Sequence, residues 1–119
     1  MKSERKFDEL VEAWKKHCMK PDVLTDSSTK AVTECPEYRE IVSKSYLALP
    51  LIRGLYDTDD TYDFSLRIVK SHGLARAVKE ILKEDFFIPK DIAGKIYEME
   101  EYTKKWLDEN ISKYKSKMI

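Results

Sequence analysis

Apolar residues recur along most of the chain at the spacing of helices. Near the amino end they lie three and four positions apart, which places them on one face of a helix. This face carries Phe7, Leu10, Val11, Trp14 and Cys18. Ser3 is suited to be the N-cap residue of that helix, and Pro21 is expected to end it.

Two short helices are predicted to follow. Residues 22–28 offer several capping side chains before a helix that carries Ala31 and Val32. Pro36 suits the first turn of the next helix, because the N–H that proline lacks is not bonded there. We expect this helix to end near Ser45.

The densest apolar run lies at residues 46–56 and predicts a helix that is central and buried on most of its sides. Pro50 is expected in its first turn, since proline farther inside would kink it. The polar run 57–61 is rich in capping residues and is predicted to be a loop. A helix that carries Phe64 and Leu66 follows.

Gly73 is predicted to be a left-handed helix stop, after which the helical period restarts at once. Residues 86–88 are apolar but too few for a paired strand, so we expect a hinge packed on the core. The last and longest helix is expected from Ile92 to Tyr114, about six turns. Gly94 inside it indicates close packing against a neighbour.

Together these patterns predict an all-α fold: one compact multi-helix bundle of about six helices with a long carboxy-terminal helix. A chain of 119 residues suits a single domain, 1–119. Its three Gly and four Pro are too few for the turns of a many-stranded sheet. The sequence therefore disfavours an all-β fold.

Charge and cysteine content narrow the function classes. The 22 basic and 22 acidic residues balance, so no overall field attracts nucleic acid or anionic lipid. Cys18 and Cys35 are too few for a disulfide framework and lack zinc-site spacing. With no signal peptide and no run of about 20 apolar residues, we expect a reduced, cytoplasmic protein without a cofactor or a membrane partner.

An acidic loop is the first candidate site. It contains Asp57, Asp59, Asp60 and Asp63. Clustered carboxylates are ligands for calcium or magnesium, but an EF-hand loop also needs a glycine and a distal glutamate. Tyr62 and Ile68 stand at those positions. The sequence therefore favours a solvated capping loop, and we predict no metal site.

Candidate catalytic residues are few. His17 and Cys18 are adjacent, and adjacent helical residues point about 100° apart, so they do not face each other. His72 beside Gly73 is expected to interact with the end of a helix. The common short catalytic motifs are absent. The sequence therefore predicts a protein that is not an enzyme and has no catalytic residues.

A basic segment is the second candidate site. Residues 67–83 contain only one acid, Glu80, and five cations. The cations are Arg67, Lys70, Arg76, Lys79 and Lys83. Arg76, Lys79 and Lys83 follow one another at intervals of three and four residues, so they share a helix face that could contact phosphates. The preceding segment 21–63 is acidic. Contact with a protein, or self-association of unlike patches, is the competing interpretation.

One stretch resembles a family of small uncharacterised bacterial helical proteins. The residues that carry the resemblance are Pro36, Tyr38 and Ile41, followed by Leu49, Pro50, Leu51, Ile52 and Leu55. Cys35 stands where that family usually has histidine. The second group is also similar to the second helix of a HEAT repeat, which implies a helical hairpin in the middle of the chain. The shared residues are packing positions, so the resemblance bears on fold rather than activity.

The first functional hypothesis is a small non-enzymatic helical module that binds and modulates another protein, of the inhibitor, antitoxin or adaptor type. The alternative is a nucleic-acid-binding domain that uses the basic segment as phosphate contacts. Added salt should abolish binding to a nucleic acid, whereas binding to a protein through apolar side chains should depend less on salt. A homodimer is compatible with the sequence if the helix at 46–56 leaves an apolar face exposed.

Overall fold

The computed structural model describes residues 6–26 and 28–118, so the expected N-cap Ser3 lies outside the described part of the chain. The described residues form eight α-helices and no β-strand, which confirms the all-α prediction. The helices are α1 (Phe7–Cys18), α2 (Pro21–Asp26), α3 (Thr29–Thr33), α4 (Pro36–Ser43), α5 (Ala48–Tyr56), α6 (Phe64–Ile68), α7 (Leu74–Leu82) and α8 (Ile96–Asn110). Three 3-10 segments lie at Ser45–Leu47, Lys83–Asp85 and Ile111–Met118.

Local signals account for the first helices. Ser28 caps α3 by accepting a hydrogen bond of 3.1 Å from the Ala31 N–H, and Pro36 begins α4 as predicted. Pro21 does more than follow α1, because it begins the six-residue helix α2. The sequence pattern missed α2, since its one buried residue, Val23, gives no periodic stripe.

Trp14 is the centre of the core and joins three helices. Its indole N–H donates a 2.8 Å hydrogen bond to the Val32 carbonyl at the end of α3. The next turn of α1 repeats this contact, with His17 Nε2 2.8 Å from the Ala31 carbonyl. The Trp14 ring also packs against Tyr38 of α4, with centroids 5.3 Å apart. These contacts fix α1 against α3 and α4.

The predicted helix stop at Gly73 is wrong. A π-helical turn, Val69–Gly73, joins α6 and α7 into one continuous helical run over 64–82. Gly73 has a φ of −109°, so it is not left-handed. The physical reason for glycine is space, because a Cβ there would lie 2.3 Å from Cζ2 of Trp14.

The central helix is this run over 64–82 and not, as predicted, the segment at 46–56. The run packs against α1, α3, α4 and α8, whereas α5 packs mainly against α8 and leaves Leu51 44% exposed. Ser45, with a φ of 56°, turns the chain between α4 and α5. These two helices therefore take separate partners instead of packing on each other as a HEAT-like hairpin would.

The carboxy-terminal part differs from the prediction at the start of its helix and at Gly94. The longest helix, α8, begins only at Ile96 because Gly94 adopts a φ of 87°, which interrupts a right-handed helix. Nothing lies within 4 Å of a Cβ built on Gly94, so the expected close packing there is wrong. The apolar hinge is confirmed, since Phe86 is fully buried although Phe87 is 64% exposed.

Candidate interaction surface

The carboxylates of the predicted acidic loop act as separate capping and pairing groups. Asp57 pairs with Arg53, with Oδ1 and Nη1 3.0 Å apart. Asp59 accepts hydrogen bonds from the backbone N–H and the hydroxyl of Thr61. Within the described ranges, no group of three or more His, Cys, Asp or Glu side chains is arranged to hold a metal ion. The loop is an ordered connection between α5 and α6.

Asp63 is the N-cap residue of α6 and also ties that helix to α1. It accepts a 3.1 Å hydrogen bond from the Leu66 N–H and one of 2.7 Å from the Ser65 hydroxyl. Its other oxygen lies 2.6 Å from Nζ of Lys15. The bond from Lys15, then those from Ser65 and Leu66, lower the pKa of Asp63 to about 2.

Two of the predicted phosphate contacts belong to a half-buried cluster of ion pairs. Arg67 Nη1 and Lys70 Nζ lie 2.8 and 3.1 Å from the same oxygen of Asp60, and Arg67 also pairs with Glu100 of α8. Lys70 donates a further 2.8 Å bond to the Thr58 carbonyl and is only 7% exposed. We call Asp60, Arg67, Lys70 and Glu100 the ion cluster. Two acids neutralise its two cations.

The remaining cations of the basic segment have different surroundings. Arg76 Nε lies 3.5 Å from Oε1 of Glu80, one turn along α7. Lys79 donates to the carbonyls of Lys83 and Phe86, at 3.0 and 2.9 Å, and so closes the carboxyl end of α7. Lys70 is buried and Arg67 is half-buried, whereas Arg76, Lys79 and Lys83 are exposed. The five cations therefore do not all lie on one exposed face, and only the three of α7 and its carboxyl end remain at the surface.

The cysteine and histidine residues of the catalytic interpretation are packed structurally. Cys18 is fully buried, and burial, with a smaller contribution from Cys35, raises its pKa to about 12. A thiol in such surroundings is a poor nucleophile, because the thiolate is the reactive form. His17 is held by the Ala31 carbonyl. The two side chains therefore serve packing and hydrogen bonding.

An apolar cavity of about 180 Å³ lies beside the π-helical turn, and we call it the π-turn cavity. Its apolar wall comes from α1, α2, α3 and α6 and consists of Cys18, Val23, Leu24, Val32, Phe64 and Ile68. Arg67, Ser71 and His72 complete the lining. Ser71 bonds the Arg67 carbonyl of its own helix. Single π turns inside α-helices occur frequently at functional sites.

Two exposed aromatic rings flank the arginine at this cavity. Phe64 lines the cavity and is nevertheless 62% exposed, so it stands at the opening. The guanidinium of Arg67, three positions along α6, lies 5.7 Å from the centre of the Tyr97 ring, and Tyr97 is 73% exposed. We call Phe64, Arg67 and Tyr97 the aromatic surface. Phenylalanine, tyrosine and arginine are the residue types enriched in protein interfaces.

A second cavity, of about 150 Å³, has a different chemistry. Its lining includes three cations and two acids, namely Lys30, Arg39, Arg76, Glu34 and Glu80. Charges of both signs face one another there, so this cavity adds no basic surface to the predicted segment. The apolar π-turn cavity is therefore the better candidate for binding.

Sequence reasoning missed both the cavity and the aromatic surface. The sequence places Phe64 on a helix, but its neighbours in the cavity, Val23 and Val32, belong to α2 and α3, more than 30 residues earlier in the chain. His72 was expected at a helix end and instead lines the cavity. The spacing of residues in a sequence cannot predict a cavity of this kind, because the cavity depends on how four helices pack together.

No protein-family model matches the chain, and neither a curated protein nor a solved structure was found to be similar to it. The resemblance to a family of small bacterial proteins therefore rests only on the residues quoted above. None of the described helices is both long and apolar enough to cross a membrane.

Proposed function

We propose that this protein is a small, non-enzymatic cytoplasmic module that binds and modulates a partner protein, and that the aromatic surface with the π-turn cavity receives the partner. The observation that carries the proposal is the exposed ring of Phe64 at the opening of an apolar cavity. The module would be of the inhibitor, antitoxin or adaptor type, and its partner would bury this ring and fill the cavity.

The size of the cavity supports a single apolar side chain as its occupant. A dry cavity of about 150 Å³ in another protein accommodates benzene, and the π-turn cavity measures about 180 Å³. A leucine, isoleucine or phenylalanine side chain of the partner has suitable dimensions. Interfaces commonly depend on a few such anchors in desolvated pockets.

The charge balance around the cavity favours a protein over a nucleic acid. Arg67 is already paired with Asp60 and Glu100, so it offers little uncompensated charge to a phosphate. Its flat guanidinium face can still stack on aromatic groups. Binding through this surface should therefore depend only weakly on salt.

Site-specific photocrosslinking in cells tests the proposal. The photoreactive analogue p-benzoylphenylalanine replaces Phe64 in one variant and Phe87 in a matched control. The control is appropriate because the two residues are 62% and 64% exposed, and Phe87 does not line the cavity. We expect position 64 to crosslink to a specific protein that position 87 does not capture.

The crosslinked protein is then purified and its affinity is measured by calorimetry. Phe64→Glu should weaken binding at least tenfold, roughly the loss of one anchor residue, whereas Phe87→Glu should leave the dissociation constant unchanged. Equal capture at both positions, or no capture at position 64, would show that the surface is not an interface. Crosslinking of RNA or DNA at position 64 would instead favour the nucleic-acid hypothesis.

A further inference from the structure

An apolar stripe that the described residues leave exposed begins at Leu47, the last residue of the 3-10 segment, and continues along the outer face of α5. Leu47 and Leu51 are 53% and 44% exposed, and Pro50 and Gly54 are exposed beside them. Positions 47, 50, 51 and 54 share one side of a helix because they lie three, four and seven residues apart. We call these four residues the α5 stripe. The opposite side of α5 is buried in the core.

The α5 stripe has a large side chain at one end and none at the other. Leu47 supplies the large side chain at the amino end. At the other end a Cβ built on Gly54 meets nothing within 4 Å, so the space beside this residue is open. Pro50 and Leu51 lie between them. When two such stripes pack end for end, the large residue of each faces the residue of the other that has no side chain.

We infer that the α5 stripe is the contact between two copies of this chain, related by a two-fold axis with their α5 helices antiparallel. In this arrangement Leu47 of each copy packs over Gly54 of the other, where no side chain stands in the way, and Leu51 meets Pro50. A two-fold contact uses the same patch on both copies and closes on itself. This association is independent of the proposed partner surface, which lies on α6 and α8.

Charge complementarity supports the antiparallel direction. The segment Ile111–Met118 packs against Ser45–Leu47 at the amino end of the stripe, and it carries three lysines and no acidic residue. One of these, Lys117, places its ammonium 5.4 Å from the centre of the Tyr46 ring. At the carboxyl end, Arg53 pairs with Asp57 and Asp108, and Lys104, which also acts on Asp108, pairs with Glu101. Three acids therefore stand beside two cations at this end. In an antiparallel pair, the basic end of each stripe therefore faces the acidic end of the other.

The small size of the α5 stripe predicts a weak dimer. Stable interfaces bury about 800 Å² on each partner, and a stripe of four residues with its charged ends covers less. We expect a dissociation constant in the range of tens to hundreds of micromolar, as in transient associations. Added salt should weaken the dimer further, because its charged ends are exposed.

Sedimentation equilibrium of the purified chain, from low micromolar to submillimolar concentration, tests the inference. The wild-type protein should pass from monomer to dimer over this range. Gly54→Leu places a side chain where Leu47 of the other copy would pack, at an exposed position where the added Cβ meets nothing within 4 Å, and should shift the dissociation constant upward at least tenfold. Leu51→Glu should have a similar effect.

Met19→Glu is the matched control, because Met19 is as exposed as Leu51, at 44%, and lies outside the α5 stripe. This control should dimerise like the wild type, and so should Phe64→Glu, which separates the dimer from partner binding. Circular dichroism confirms that each variant is folded. A wild-type chain that stays monomeric at every concentration, or a dimer unaffected by Gly54→Leu, would overturn the inference.

Discussion

Gly73→Ala should destabilise the protein strongly, although alanine is the better helix former. The added Cβ would lie 2.3 Å from Cζ2 and 2.5 Å from Cη2 of Trp14. Carbon atoms in contact prefer separations of about 3.5 to 4.0 Å. Either the indole or the central helix must therefore move by about 1 Å.

The indole cannot move cheaply. Trp14 is fully buried, its N–H is bonded to the Val32 carbonyl at 2.8 Å, and its ring packs on Tyr38. Overpacking of a core costs about 1–3 kcal/mol, and a buried hydrogen bond that is lost costs about 1–3 kcal/mol. The gain in helix propensity from glycine to alanine offsets about 1 kcal/mol. We expect a net loss of about 1–5 kcal/mol in the free energy of unfolding.

Gly54→Ala is the matched control, since the same chemical change occurs in a helix where the added Cβ meets nothing within 4 Å. It should stabilise the fold by about 0.5–1 kcal/mol. Urea unfolding, followed by far-UV circular dichroism at low micromolar concentration, measures both variants. A Gly73→Ala protein as stable as the wild type would refute the space argument for this glycine.

Three further predictions concern the ion cluster, the α6 cap and the thiols. Glu100→Leu should cost about 3 kcal/mol because it leaves Arg67 short of a partner, and the double variant Arg67→Leu/Glu100→Leu should recover part of this in a urea double-mutant cycle. A double variant as unstable as the sum of both single variants would contradict pairing. Asp63 has a pKa of about 2 in the folded protein, below the ordinary 3.8. Its ionised form therefore stabilises the fold fully above about pH 5, and this stabilisation is lost as the pH falls toward 2. Asp63→Asn keeps a capping oxygen but removes the charge that pairs with Lys15, so it should cost about 0.5–1 kcal/mol at pH 7. This difference should shrink steadily in urea titrations at lower pH. Cys18 should react with a thiol reagent at pH 8 only after unfolding, since burial raises its pKa to about 12; rapid labelling of the folded chain would disprove this.

Signals that act within one turn were sufficient to predict much of the fold. Ser28 and Pro36 begin helices because their local chemistry suits a first turn, whatever packs around them. Gly73 and Gly94 were misassigned because glycine serves several purposes. At Gly73 the requirement is space for a ring distant in the sequence, and at Gly94 it is a positive φ in a turn.

The candidate site could be predicted much less completely. Arg67 and Lys70 were predicted to be available for phosphates, because a sequence does not show which acidic residue a cation pairs with in the fold. Their neutralisation depends on Glu100, which only the packing of α8 brings alongside. The outward face of α5 was uncertain for a similar reason, since an apolar run does not report which of its sides the fold will cover.

The π-helical turn also explains why buried positions along the central helix recur at intervals of four. Val69, Gly73, Ala77 and Ile81 are all buried, yet four residues of a regular α-helix overshoot a full turn by about 40°. A π turn contains more residues per turn than an α-helical one, so each residue in it rotates the chain less and part of the excess rotation is cancelled. Deleting one residue from Val69–Gly73 would restore a regular α-helix and rotate all of α7 away from the core, which makes the length of this segment, as much as its composition, a requirement of the fold.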